Sequence, residues 1–166
     1  IDIVVDENGR STKAPGGSPL NVAVGLGRLG VSTLLLTQLG NDDYAEQILE
    51  HLRDSNVAVM AAPTRSGRTS TAHAKVDAAG DASYTFDVSW DLPEQDLPRC
   101  NAVHIGSLGA LVEPGRSSVL ELVDEATAHG LRLGRAMARL REDRLFDADR
   151  AISELRRGNA QESSAG

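Results

Sequence analysis

Two adjacent glycines, Gly16 and Gly17, precede a run of residues that is typical of a helix start. Ser18 is a residue type that caps helices, and Pro19 suits the first helical position because its missing N–H would have no helical partner there. A glycine-rich loop that leads into a helix presents backbone N–H groups and the positive end of the helix dipole to a ligand. Since neither glycine has a side chain, a polyhydroxylated ligand can approach this backbone closely.

Asn21 is the side chain best placed to act beside this loop, one helical turn into the predicted helix. Its amide offers both a donor and an acceptor, as a sugar hydroxyl does. The loop lacks the Gly-Lys-Ser/Thr ending of a P-loop, and its adjacent glycines differ from the spaced glycines of a dinucleotide fingerprint. A purely structural interpretation stays open, in which the two glycines make a turn and Asn21 bonds to local backbone.

Asp2 stands in an otherwise apolar run at residues 1–5, which predicts the end of a buried strand. An unpaired carboxylate in dry surroundings is costly, so Asp2 is expected at a strand end or facing a site. A carboxylate that accepts protons from two hydroxyl groups makes strong charged hydrogen bonds and would hold a polyol well. The alternatives are an exposed strand-end carboxylate, or Asp6 in the same role.

Asp42 and Asp43 form a second acidic pair, which could serve in catalysis or bind a metal ion. The favoured interpretation is structural, because Asp43 with Glu46 three residues later is typical of a helix N-terminus.

Two other side chains receive structural interpretations: Trp90 is predicted to pack in the core, and His104 to be a hydrogen-bonded core histidine within a strand.

Hydrophobic periodicity predicts the elements that position these residues. Helices are predicted at 18–29 (closed by Gly30), at 41–54 and from Glu113-Pro114 to about 129, and strands at 1–5, 31–39, 57–60 and 101–105, with a hairpin at about 69–88. The segment 6–15 is predicted to be a loop or short edge strands. Strands that alternate with helices predict an α/β doubly wound sheet, into which the hairpin is inserted.

The composition narrows the class of protein. The chain has 166 residues, enough for one domain, and a formal net charge of -7, which argues against nucleic acid or an anionic membrane as partner. Its single cysteine, Cys100, is compatible with a reducing cytoplasm, and no apolar run approaches the ~20 residues that span a bilayer. Because the sequence opens inside a strand pattern without Met, we expect that its natural N-terminus is missing.

The spacing from Gly16 to Ala23 (GGSPLNVA), followed by Gly30 and Gly40, resembles the N-terminal signature of the ribokinase-like (PfkB-type) carbohydrate kinases. The similarity continues through residues 39–44, 69–87 and 103–108, is nearest to the fructokinases, and covers about residues 1–130. It implies a partial ribokinase-like sheet with a β-hairpin lid, a small-molecule sugar as ligand, ATP-dependent phosphorylation of a sugar hydroxyl, and ATP and Mg as cofactors.

The resemblance also implies a set of sugar contacts. The family's first strand ends in an acid that binds sugar hydroxyls, and Asp2 stands at the matching position. The family's lid strands cover the sugar, which implies a contact from either His73 or Lys75. The implied substrate-binding residues are Asp2, Gly16, Gly17, Asn21 and His73.

The resemblance is expected to stop near Gly130. Residues 131–166 contain eight arginines, no lysine and six acidic residues, whereas the preceding part is strongly acidic. Helical spacing predicts an unmatched helical tail over 131–158, and the polar end at 159–166 is predicted to be disordered.

The family's catalytic loop, Gly-Ala-Gly-Asp, is absent from the sequence, so no catalytic residue is identified. Residues 78–81 (AAGD) resemble it but lie between two alternating segments, which predicts a hairpin turn. The chain is therefore expected to hold the sugar-binding half of such a kinase, to be truncated before the catalytic half, and to be inactive alone. The alternatives are a non-catalytic sugar-binding module, a homodimer formed through the lid hairpin, or an unstable product.

Overall fold

The computed structural model describes residues 1–6, 8–77 and 81–133. These residues form a mixed α/β fold. The elements in chain order are β1 (Asp2–Val5), β2 (Ser11–Ala14), α1 (Ser18–Arg28), β3 (Thr33–Leu39), α2 (Asp43–Asp54), β4 (Val57–Pro63), β5 (Thr71–Val76), β6 (Ala82–Asp87), β7 (Ala102–Val103), a 3₁₀ turn (Ser107–Ala110), α3 (Gly115–Ala128) and β8 (Arg132–Leu133).

A four-stranded sheet with the order β2-β1-β5-β6 carries the predicted hairpin. β1 runs parallel to β5, and the other neighbouring strands are antiparallel. The hairpin β5–β6 closes through the N–H of Asp77, which donates to the Asp81 carbonyl at 3.0 Å. Residues 78–80, the rest of the predicted turn, lie outside the described residues.

The body beneath this sheet is a β-α-β unit in which β3 and β4 are parallel neighbours and α1 and α2 pack on them. Ile3 of β1 and Ile1 just before it belong to the same core, so one face of the four-stranded sheet is joined to the body at its base. The buried members of this core are Ile1, Ile3, Leu20, Ala23, Val24, Leu35, Leu39, Ala45, Ile48, Leu52 and Val57.

Both ends of α1 are set by glycine. Gly17 is the N-cap residue with φ of 108°, so the prediction that Ser18 caps this helix is wrong by one position. Gly30 has φ of 79°, and its N–H donates to the Gly27 carbonyl at 3.0 Å. This left-handed residue is the usual C-terminal stop, which confirms the predicted role of Gly30.

Trp90 anchors a second hydrophobic cluster under α3, which confirms its predicted packing role. Its Nε1 donates to the Gly109 carbonyl at 2.8 Å, and its carbonyl accepts from the N–H of Gly115. Leu92, Ala110 and Val119 are the buried members of this cluster.

The region around β7 differs from its prediction. Only residues 102–103 form a strand, and both Ala102 and His104 are exposed, so the buried strand at 101–105 and the core histidine at 104 are wrong. Among the described residues β7 pairs only with β8, which leaves too little structure around His104 to bury it.

β8 occupies residues 132–133, where the spacing had predicted the start of a helix. The rest of the predicted helical tail and the predicted disordered end fall on residues 134–166, outside the described residues. Within the described part of the chain, no helix is long and apolar enough to cross a membrane.

Candidate functional site

Asp2 lies at the base of the four-stranded sheet, beside Ala14 of β2 and Ala72 of β5. Its carboxylate lies against the backbone of Gly16, so closely that a Cβ added at position 16 would overlap it. The Asp2 residue is exposed, and within residues 1–6, 8–77 and 81–133 its carboxylate has no hydrogen-bond or ion-pair partner. Both oxygens are therefore free to accept from a ligand.

The loop beside Asp2 opens directly into α1. Gly17 precedes the first helical residue, and no side chain caps the helix, which leaves N–H groups of the first turn open. Asn21 lies in that turn, where its N–H donates to the Gly17 carbonyl at 3.0 Å. The Asn21 residue is exposed, and its side-chain amide makes no hydrogen bond inside the described ranges. The structure thus brings Asp2, Gly16 and Gly17 to the start of α1, with Asn21 in its first turn.

Asp6, the alternative acid, is used by its own turn. Its Oδ1 accepts from the N–H groups of Asn8 at 2.9 Å and Arg10 at 2.8 Å. These bonds hold the connection between β1 and β2, which is a common role of aspartate in turns. The geometry therefore favours Asp2 over Asp6 as the acid at the site.

His73 lies on the opposite face of the sheet from Asp2. In the register of β1 and β5, Asp2 is beside Ala72 and Ile3 is beside His73, and side chains alternate between faces along a strand. The His73 Nε2 lies 3.2 Å from the Thr71 hydroxyl on the same strand. Lys75 is two residues after His73 on β5 and therefore lies on the same face as His73. The structure thus brings neither candidate to the face that carries Asp2.

The face shared with Asp2 instead carries small and aromatic side chains. The cross-strand rows are Asp2, Ala72 and Phe86 near the base, and Val4, Ala74 and Tyr84 above them. The rings of Tyr84 and Phe86 stack, with centroids 6.2 Å apart and planes at 11°. The alternation within each strand sequence predicts which of its residues share a face. It does not predict which face of the sheet lies beside the glycine loop.

Asp42 is the N-cap of α2, one residue before the position that the sequence had suggested. Its Oδ1 accepts from the N–H of Ala45 at 3.0 Å and from the Thr69 hydroxyl at 2.7 Å, and its Oδ2 accepts from the Thr69 N–H at 2.7 Å. Partial burial raises the pKa of Asp42, but hydrogen bonds led by those from Thr69 outweigh this effect and hold the pKa below its ordinary value. The capping interpretation is confirmed, and the buried partner Thr69 was not foreseen.

Within the described residues no group of three His, Cys, Asp or Glu side chains could hold a metal ion. An Mg²⁺ ion bound with ATP uses only one or two carboxylates together with phosphate oxygens and water, so this finding concerns a metal site built from protein side chains alone. Asp2 lies against the glycine loop and Asp42 caps α2. Burial lowers the pKa of the Ile1 amino group between them, while the negative charges of Asp2 and Asp42 act to raise it.

The α/β body with a four-stranded sheet above it is similar in fold to the ribokinase-like sugar kinases. A model of the family described as pfkB family carbohydrate kinase matches residues 2–158, and the chain belongs to this family. The match continues past Gly130, where the resemblance had been expected to stop.

Curated relatives of this chain include fructokinases. It is 32% identical over 141 residues to a fructokinase of Salmonella typhimurium, covering 80% of this chain and 46% of that protein. It is 33% identical over 132 residues to a fructokinase of Klebsiella pneumoniae, covering 75% of this chain and 43% of that protein. The chain thus spans about half the length of the curated relatives that it matches.

Solved structures agree with this fold. The fructokinase of Halothermothrix orenii superposes with a TM-score of 0.71 at 21% identity, covering 80% of this chain and 52% of that one. An uncharacterized sugar kinase of Pyrococcus horikoshii superposes with a TM-score of 0.68 at 25% identity, covering 79% and 50% respectively. A structure of the same Pyrococcus protein in complex with ATP also matches, with a TM-score of 0.68.

Proposed function

We propose that this chain provides the sugar-binding part of an ATP-dependent, fructokinase-like sugar kinase. Asp2, Gly16, Gly17 and Asn21 are the proposed contacts. The observation that carries the proposal is the exposed Asp2 carboxylate, which lies against Gly16 without a hydrogen-bond partner in the described structure.

The chemistry of the site suits a polyol. A carboxylate accepts from two hydroxyl groups, open N–H groups of a helix start donate to hydroxyl oxygens, and an amide such as that of Asn21 does both. The four-stranded sheet covers the Asp2 side with Ala72 and Phe86, whose apolar atoms can pack on the C–H groups of a sugar ring. His73 is left out of the proposed set because it lies on the other face.

In this proposal Asp2, Gly16, Gly17 and Asn21 bind the sugar and do not carry out phosphoryl transfer. Transfer from ATP requires a base near the sugar hydroxyl, donors for the phosphoryl charge and normally Mg²⁺. The 166 residues contain no Gly-Ala-Gly-Asp loop, so we expect that they bind sugar without transferring phosphate. The proposal also places the chain in the cytoplasm, where the exposed free thiol of Cys100 would stay reduced.

Fructose is expected to raise the unfolding temperature of the purified chain. A ligand that binds only the native state stabilises it by about 2.7 kcal/mol at a hundred times its dissociation constant. Thermal unfolding with and without millimolar fructose measures this shift, and sucrose at the same concentration controls for a general osmolyte effect. An ADP-release assay with fructose and Mg-ATP is expected to show no turnover. A cooperative transition that fructose does not move would contradict the binding proposal.

A homodimer formed through the four-stranded sheet is a second candidate. On the Asp2 face, Val4 is 38% exposed and Tyr84 is 59% exposed. The strand β6 is also an edge of that sheet within the described structure. Exposed apolar side chains on a sheet with an open edge are typical of a surface that another chain covers.

Tyr84→Ser is expected to shift such a dimer toward monomer, because it removes the larger exposed ring from this face. Sedimentation velocity across a concentration series measures the shift. Thr85→Ser is the matched control, since Thr85 is the next residue on β6 and lies on the opposite face. A wild-type chain that stays monomeric at every concentration rules out the dimer.

A further inference from the structure

The residues where the hairpin β5–β6 meets the body are held mainly by hydrogen bonds. A shallow cleft at this point is lined by Ser66, Arg68, Thr69, Ser70, Asp87 and Ser89. All six of these side chains are polar or charged. Besides the pairing of β5 with β1, the position of the hairpin therefore depends on specific polar contacts at its root.

Asp42 supplies the strongest of these contacts. Both of its oxygens accept from Thr69, one from the backbone N–H and one from the hydroxyl, each at 2.7 Å. The Thr69 hydroxyl also accepts from the N–H of Gly40 at 3.0 Å. Thr69 is only 7% exposed, and it stands two residues before the start of β5. Hydrogen bonds to a carboxylate are stronger than those between neutral groups. Because Thr69 donates to both oxygens of Asp42, the two bonds together also fix the orientation of Thr69 relative to the carboxylate.

Ser70 carries this attachment to the other strand of the hairpin. Its hydroxyl donates to the Ser89 carbonyl at 3.2 Å and accepts from the Ser89 N–H at 3.1 Å. The two chain segments at the root are thereby joined to each other, and the first is joined to the N-terminus of α2. We call the contacts among Gly40, Asp42 and Thr69 the Asp42–Thr69 tether.

Gly40 shows how closely the segments approach. A Cβ at position 40 would overlap the backbone N of Thr69 and would lie 2.6 Å from the Gly67 carbonyl oxygen. The N–H of Asn41 donates to the same Gly67 carbonyl at 2.9 Å. The segment before β5 is therefore seated against the start of α2 by backbone contact as well as by the Asp42 carboxylate.

We propose that Asp42 is a positioning residue, which through Thr69 sets the base of the hairpin β5–β6 over the Asp2–Gly16 site. The tether fixes the chain three residues before Ala72, which is the neighbour of Asp2 in the sheet. The effect on ligand binding rests on the proposed function, whereas the effect on the hairpin itself does not.

The Asp42→Asn substitution tests the role of Asp42 in the tether without removing its role as the helix cap. Asparagine caps helices about as well as aspartate, so its oxygen keeps the bond from Ala45, but its NH₂ group then faces the N–H donor of Thr69. Asp43→Asn is the matched control, because Asp43 is exposed and is the first residue of α2. Thr69→Val removes the hydroxyl at nearly constant shape, and Thr69→Ser keeps it.

Amide hydrogen exchange by mass spectrometry on the full chain tests the proposal without any sugar. Asp42→Asn and Thr69→Val are expected to speed exchange in residues 71–76 and 82–87 by about tenfold, because local opening becomes easier. Exchange in α2 and α3 is expected to stay as in the wild type, as it is throughout in Asp43→Asn and Thr69→Ser. Unchanged exchange in the hairpin, or an increase spread over the whole chain, would overturn the proposal.

Fructose affinity supplies the second readout. If the wild-type chain binds fructose, Asp42→Asn is expected to weaken binding several-fold while Asp43→Asn leaves it unchanged, and equal affinity in the two variants would overturn the positioning role. If the wild-type chain does not bind fructose, the proposed function fails, and the exchange experiment alone decides whether the tether holds the hairpin.

Discussion

Asp2→Ala is expected to weaken fructose binding by about 10- to 100-fold, because a hydrogen bond to a charged group contributes roughly 1.5–3 kcal/mol. The wild-type carboxylate is exposed and lies against Gly16 without a hydrogen-bond partner in the described chain, so its removal breaks no hydrogen bond there. The unfolding temperature without sugar should therefore change little. Isothermal titration calorimetry with fructose, together with thermal unfolding, measures the two effects separately.

Asp6→Asn is the control for this prediction. Asp6 uses one carboxylate oxygen to hold the turn after β1, and asparagine can keep both of those bonds. Its fructose affinity should equal that of the wild type. Gly16→Ala tests the same contact through the glycine loop. Its new methyl group would displace the Asp2 carboxylate, so this variant should also bind fructose more weakly. If Asp6→Asn loses affinity and Asp2→Ala retains it, the acid has been assigned to the wrong residue.

Gly27→Ala is expected to destabilise the fold by about 2–3 kcal/mol, the upper part of the usual cost of overpacking. Gly27 is buried in α1, where a Cβ would overlap the Ser55 carbonyl oxygen and lie 2.8 Å from Cγ2 of Val57. Because the first of these atoms belongs to the backbone, α1 would have to move away from the end of α2. For a chain of this size the melting temperature should fall by roughly 5–10 °C.

Gly25→Ala is the matched control two residues earlier on the same helix. Gly25 is exposed, and nothing lies within 4 Å of a Cβ placed there. Alanine is the better helix former by about 1 kcal/mol, so this variant should melt slightly above the wild type. The two substitutions are chemically identical, and opposite signs would show that packing against Ser55 decides the result. Equal melting temperatures in both variants would contradict a steric role for the contact between Gly27 and Ser55.

Most of the helices and strands could be predicted from local sequence signals, because helix ends and strand alternation depend on residues that are close together in the sequence. The glycines at 17 and 30 bound α1, and an aspartate begins α2, although the capping positions were displaced by one residue. The alternation at residues 71–76 and 82–87 was sufficient to predict the hairpin. The strand around His104 failed because burial of a strand depends on its sheet neighbours, which lie far away in the sequence.

The candidate site was predictable only in part. Asp2, Gly16 and Asn21 were chosen from residue type and spacing, and the structure places Asp2 against Gly16. His73 was chosen because it lies on a lid strand, but the parity of a strand does not tell which face adjoins a distant loop. Thr69 gave no signal, because a buried threonine that joins two segments looks like any loop threonine until its partner is known.

The sequence by itself determined the class of elements, the glycine loop at the start of α1 and the resemblance to the PfkB-type kinases. These depend on backbone preferences and short spacings, which a chain carries with it in any fold. Only the tertiary structure decided that Asp2 and Ala72 share a face, that His73 lies on the other, and that Asp42 holds Thr69. The register of a parallel pair such as β1 and β5 joins segments about 70 residues apart, and packing over the whole chain fixes it.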